Sequence, residues 1–183
     1  MISIKNFEEI INQNNKFTAA AVELSGQNYQ GLKIENAVLP LLNISKSNFS
    51  KSIFNNAVFN SEIYESPVGE ITIIESTNAK WTNFISSKLT NSSFIGINFA
   101  ISKFNKAVLE NCNFKKCCFI DCDFTGVIAE NCNFSNCDFR VSKFDNTVFK
   151  KCDTNVACFG DVVFTNARLS FLGQNVLITT IKD

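Results

Sequence analysis

From Leu24 to Leu169 an apolar or aromatic residue returns at nearly every fifth position. Stepping by five from Phe114 reaches Phe119, Phe124, Phe134, Phe139, Phe144, Phe149, Phe159 and Phe164 in one direction. In the other it reaches Leu109, Phe104, Phe99, Phe94, Leu89 and Phe84. Of the 30 grid positions only Gly69, Ala79, Ala129 and Thr154 are not large apolar or aromatic residues, and 16 of the 19 Phe fall on the grid. Neither regular element uses such a period. On an α-helix a step of five advances about 140° net, so the stripe would wind around the axis. In an unbroken strand an odd step sends successive side chains to opposite faces. A chain that turns a corner every five residues buries all of them together. Four sides close a square coil of about 20 residues, and coils stack about 4.8 Å apart like neighbouring parallel strands.

Two residues before each centre lies a second inward slot. Near a corner it must be small. Ser87, Ser92, Ser102, Ala107, Cys112, Cys117, Cys122, Cys132, Cys137, Ser142, Thr147 and Cys152 fit that demand. The other three positions of each unit carry mainly Asn, Ser, Lys, Asp and Glu. Two positions in and three out is a physically complete pattern.

Units such as Cys112-Asn113-Phe114-Lys115-Lys116, Cys122-Asp123-Phe124-Thr125-Gly126 and Ser142-Lys143-Phe144-Asp145-Asn146 carry a resemblance. The chain resembles the pentapeptide-repeat family, whose unit is Ala-Asp/Asn-Leu/Phe-X-X. That resemblance implies an all-β, right-handed parallel quadrilateral β-helix, a solenoid in which each coil touches only its neighbours. The repeat spans residues 22–171, which predicts 7–8 coils at about 20 residues each.

The stretch 62–80, EIYESPVGEITIIESTNAK, breaks the pattern at Pro67 and Gly69. The favoured expectation is an irregular coil with GEITIIE as a longer strand. The other is a protruding loop whose length is a multiple of five. The ends need covers, because an open solenoid end exposes backbone groups and the Phe stack. Residues 1–21 are expected to cap the first coil with a short helix over about 4–14, signalled by a capping box at Asn6-Phe7-Glu8-Glu9. Residues 172–183, with Leu172, Val176, Leu177, Ile178 and Ile181, form a lid, a homodimer contact or both.

Composition narrows the chemistry. Lys plus Arg and Asp plus Glu both number 17, so no net charge draws the chain to nucleic acid or anionic membrane. His is absent, which removes the commonest general base and metal ligand. No nucleophile elbow, phosphate-binding glycine loop or obvious pocket is legible. We expect no enzyme, no catalytic, cofactor-binding or metal site, and no cofactor. The eight Cys do not form a disulfide framework or a metal site on this reading. Six occupy the small inward slot where other units use Ala, Ser or Thr, while Cys118 and Cys158 sit one before a centre and are the most exposed. Free thiols fit a reducing cytoplasm. The start, MISIKNFEEIINQNNK, lacks the apolar core of a secretory leader, and no run is long enough for a membrane span.

The expected function is a non-catalytic protein–protein interaction module of a bacterial cytoplasm, with an unnamed protein partner and no direct nucleic-acid contact. The resemblance also implies an alternative: a DNA-mimic-like, topoisomerase (gyrase) binding protein related to the quinolone-resistance pentapeptide proteins. A DNA mimic should present about one charge per 1.7 Å of rod, which balanced acids and bases imitate poorly.

Overall fold

The computed structural model describes residues 22–38, 42–60, 62–65, 71–75, 77–171 and 177–178. The helix expected over about 4–14 and most of the C-terminal cover lie outside them.

In chain order the strands are β1 (Val22–Glu23), β2 (Lys33–Glu35), β3 (Leu42–Asn43), β4 (Ile53–Asn55), β5 (Glu62–Glu65), β6 (Ile71–Glu75) and β7 (Lys88–Thr90). They continue with β8 (Val108–Glu110), β9 (Ile128–Glu130), β10 (Val148–Cys152), β11 (Cys158–Phe159), β12 (Arg168–Phe171) and β13 (Leu177–Ile178). Most are only two or three residues long, because the chain turns before a longer strand can form. Seven of them stack in the order β12-β10-β9-β8-β7-β4-β2, all parallel. The register advances by whole coils: Lys88 faces Val108, which faces Ile128, which faces Val148. The other sides are held by parallel bridges with the same step, such as Asn83 to Lys103 to Asp123 to Lys143. This is the quadrilateral β-helix.

Numbering the sides by their centres, the first carries Ala79, Phe99, Phe119, Phe139 and Phe159. The second carries Phe84, Phe104, Phe124, Phe144 and Phe164. The third carries Phe54, Leu89, Leu109, Ala129 and Phe149, and the fourth Phe59, Phe94, Phe114, Phe134 and Thr154. All but the half-buried Phe164 are buried. Rings on one side stack nearly parallel, as Phe99 on Phe119 at 5.2 Å and 2° and Phe119 on Phe139 at 5.1 Å and 6°. Rings on adjacent sides meet edge to face, as Phe119 and Phe124 at 5.3 Å and 73°. Both arrangements suit the ring quadrupole.

Every corner is made the same way. All 24 positive-φ residues fall two after a grid centre, from Gly26 to Asn166. A turn whose third residue is left-handed needs Gly or Asn there for least strain. Asn occupies the position at eight corners. The Asn or Asp just before a centre closes the same corner from outside. Its side-chain oxygen accepts the backbone N–H two residues on, as Asn98 does from Ala100, Asn113 from Lys115 and Asp123 from Thr125. That contact explains the second position of the repeat unit.

Within the stretch 62–80 the strands β5 and β6 are not coil sides, while 77–80 rejoin the solenoid, with Asn78 bridging Asn43 and Asn98. Residues β5 and β6 pair antiparallel with each other, and among the described residues with nothing else. The stacking step across them is 35 residues, Ile53 to Lys88, where elsewhere on this side it is 20. The hairpin therefore removes 15 residues from the solenoid without disturbing it. Its length is a multiple of five, so the sequence grid runs on through Tyr64, Gly69 and Ile74 although neither Tyr64 nor Ile74 is a coil centre. The same excursion accounts for seven stacked strands on the third side against the 7–8 full coils expected. From the C-terminal tail, β13 adds to β11 in parallel, Phe159 facing Ile178.

Candidate interaction surface

The inward slots are occupied by more than small volume. Ser142 Oγ donates to the carbonyl of Phe119 at 2.6 Å and accepts the N–H of Cys122 at 2.9 Å. Ser102 does the same for Ala79 and Thr82 two coils earlier. Thiols act alike: Cys117 donates to Phe94 at 2.8 Å, Cys122 to Phe99 at 3.0 Å and Cys137 to Phe114 at 2.9 Å. Each side chain finishes the corner of the coil before it. By volume alone Cys, Ser and Ala are equivalent fillers of the slot, and volume does not show this role. A signal for it exists, since a residue able to donate recurs at this slot along most of the repeat.

The six inward Cys are buried, and Cys118 and Cys158 are partly exposed; all eight are free. Burial pushes the Cys122 and Cys137 thiols up, and Cys132, between Cys112 and Cys152, is pushed up by those neighbouring thiols as well. Such thiols do not ionise near neutrality and are unreactive. A thiol reagent added to the native protein is therefore expected to titrate two cysteines quickly. The other six should follow only on unfolding; a native count above two would place inward thiols within reach of solvent.

Outside, acids are offset by bases. Glu130 pairs with Lys150 at 2.7 Å, and Asp138 with Arg140 at 2.6 Å. The Lys150 ammonium holds the Glu130 carboxyl below its ordinary range. Two concavities lie on the third side and its corners, one lined by Asn146, Val148, Ala167 and Arg168, the other by Ile53, Lys88, Thr90, Glu110 and Asn111. Neither holds a thiol. Among the described residues no group of three or more Cys, Asp or Glu could hold a metal ion, and no helix is long and apolar enough to cross a membrane.

What stands out is where large apolar residues face water. Val108 and Ile128 form a short exposed row on the third side. More telling is the corner between the first and second sides. Its left-handed position reads Lys46, Trp81, Ile101, Asp121, Val141 and Asp161 up the rod. Trp81, Ile101 and Val141 sit there at φ of 56°, 61° and 64° and are 49%, 42% and 52% exposed. A bulky or β-branched residue with positive φ is strained. Elsewhere the chain mostly avoids that strain with Asn, Gly or Lys. Here, as at the single Val156 on another corner, it keeps the strain while about half of each side chain stays exposed. Lys46 Nζ lies 5.6 Å from the Trp81 ring centre, within cation–π range. Replacing Val141 by Asn is expected to raise stability by about 1 kcal/mol, since Asn tolerates this backbone. A urea midpoint that falls instead would show that the valine is there for packing.

A family model described as "Pentapeptide repeats (8 copies)" matches residues 80–115, 92–128 and 117–153. Among solved structures, the chain is similar to HetL, a pentapeptide repeat protein involved in heterocyst differentiation regulation in the cyanobacterium Nostoc sp. strain PCC 7120. The likeness has 13% identity and a TM-score of 0.39, and covers 92% of this chain and 94% of that one. It is also similar to full-length QnrB1, a plasmid-mediated fluoroquinolone resistance protein, at 15% identity and TM-score 0.42, over 89% and 92% of the two chains. A third is Rfr23 of the cyanobacterium Cyanothece 51142, at 11% identity and TM-score 0.33, over 92% and 100%. No curated protein matches the chain in sequence.

Proposed function

Because the chain is a pentapeptide-repeat protein, we propose that it is a non-catalytic protein–protein interaction module, a rod whose outer surface engages a protein partner in a reducing cytoplasm. The observation that carries this reading is the corner of Trp81, Ile101 and Val141. Backbone strain under side chains left about half exposed persists where function needs it. Exposed aromatic and aliphatic groups are what protein interfaces use as anchors. The filled core supports the non-catalytic part of the reading. Its centres are rings, and its thiols are engaged as hydrogen-bond donors to turn carbonyls.

The DNA-mimic alternative has less support. The Glu130–Lys150 and Asp138–Arg140 pairs neutralise two of the acids that would have to imitate phosphates.

The test is site-specific crosslinking in native lysate. A photo-crosslinker at Ile101 is expected to capture a protein that one at Asn133, on the fourth side, does not. The triple change Trp81→Asn, Ile101→Asn, Val141→Asn should abolish pull-down of that protein. Equal capture from both positions, or a pull-down indifferent to the triple change, would overturn the assignment to this corner.

A further inference from the structure

Acids and bases balance over the whole chain but not along the second side. Residues 45–51, 80–86 and 100–106 each run from the corner before that side to the corner after it, and they stack through Asn48, Asn83 and Lys103. They hold Lys46, Lys51, Lys80, Lys103 and Lys106, and no Asp or Glu. The next three rungs of the same face are residues 120–126, 140–146 and 160–166. They hold Asp121, Asp123, Asp145 and Asp161 against Arg140 and Lys143. Charge is sorted lengthwise, with a purely basic strip towards the N-terminal end.

Among the described residues none of the five lysines makes an ion pair, whereas Arg140 and Lys150 elsewhere do. With rungs about 4.8 Å apart, the five ammonium groups share a strip about 10 Å tall. Their mutual repulsion is relieved by counter-charge. Trp81 and Ile101 stand within this strip at positive φ. The fold leaves them 49% and 42% exposed, so their cover is to be sought in another molecule.

We infer that this strip docks an acidic, apolar segment of the partner protein. Its carboxylates meet the lysines, and its apolar side chains cover Trp81 and Ile101. The inference rests on the reading of the corner as an interaction surface and names the chemistry of what binds there. Single-stranded nucleic acid fits the strip less well, because it needs ring faces on which its bases stack. Ile101 has none, and Lys46 already lies over the Trp81 ring. An anionic membrane would meet the lysines too, but the four aspartates further along the same face would then be pressed towards its headgroups.

Trp81 is the sole tryptophan of the chain, so its emission reports on this strip alone. The test is a fluorescence titration of the full chain with three probes: a synthetic peptide of Glu and Leu, oligo(dT), and phosphatidylserine vesicles. The peptide is expected to shift the Trp81 emission and to bind tightest of the three, and added salt should weaken it. Lys46→Glu, Lys80→Glu and Lys103→Glu together should weaken it about tenfold or more. The same three lysines changed to Gln should weaken it less, which keeps the test open should the reversal fail to fold. Lys115→Glu with Lys151→Glu, on the fourth side and the corner before it, should leave it unchanged. An emission that ignores the peptide, tighter binding of oligo(dT) or vesicles, or peptide binding indifferent to the three lysines would overturn the inference. If Ile101 crosslinks in lysate to a protein whose binding ignores both salt and these lysines, the interaction-module reading stands while the acidic segment falls.

Discussion

Replacing Phe119 by Ala is expected to lower stability by about 4–5 kcal/mol, the upper part of the range for buried phenylalanine. The ring is fully buried and lies between Phe99 and Phe139 in one column. Four more rings meet it edge-on: Phe104 at 5.8 Å, Phe114 at 5.7 Å, Phe124 at 5.3 Å and Phe134 at 6.1 Å. What sets the cost is how far a cavity can collapse. Here it cannot collapse much, because each neighbouring ring is stacked in its own column on a backbone pinned by hydrogen bonds from coil to coil, such as Phe119 N–H to Asp138 at 2.7 Å and Phe134 N–H to Asp153 at 2.6 Å. Urea unfolding would measure the loss. A change below about 1 kcal/mol would contradict the packing, because even a single buried methylene is worth nearly that much.

The second large effect runs against the repeat itself. Thr154 is a gap in the grid, and consensus reasoning would restore Phe there. We expect Thr154→Phe to destabilise by about 1–3 kcal/mol, as overpacking does. The place is taken. Phe149, from the side before, stacks on Phe134 at 4.9 Å and 6°, where a ring at 154 would stack in a regular column. Thr154 is fully buried beside it, and its hydroxyl has no hydrogen-bond partner. Thr154→Val should accordingly be neutral or mildly stabilising, which separates overpacking from loss of the hydroxyl. If Thr154→Phe instead raised the urea midpoint, Phe149 would have to have room to return above Ala129.

Much of the solenoid could be read from spacing alone, since a period of five serves only a chain that turns every five residues. The inward Phe and the small slots follow from that one inference. Three things do not. Pro67 and Gly69 mark the break at 62–80, but a 15-residue excursion keeps the five-residue count, so periodicity leaves the protruding loop that the structure shows as only the second of two readings. The hydrogen bonds of the slot residues were invisible because a thiol and a methyl group are alike to an argument about volume. The corner of Trp81, Ile101 and Val141 was overlooked because outward positions were scored only for polarity, and only the backbone reveals that these three stand where a large side chain is strained.

The slot donors also give the solenoid a direction of growth. Many corner carbonyls are completed by a hydroxyl or thiol that arrives 23 residues later, as Thr147 completes Phe124 and Ser142 completes Phe119. Where the slot residue can donate, each coil supplies a bond that its predecessor lacked. Near the C-terminal end the slots become Ala157, Val162 and Ala167, which have nothing to donate. As at Ala107 and Val127 within the rod, the joint to the preceding coil there lacks one side-chain hydrogen bond.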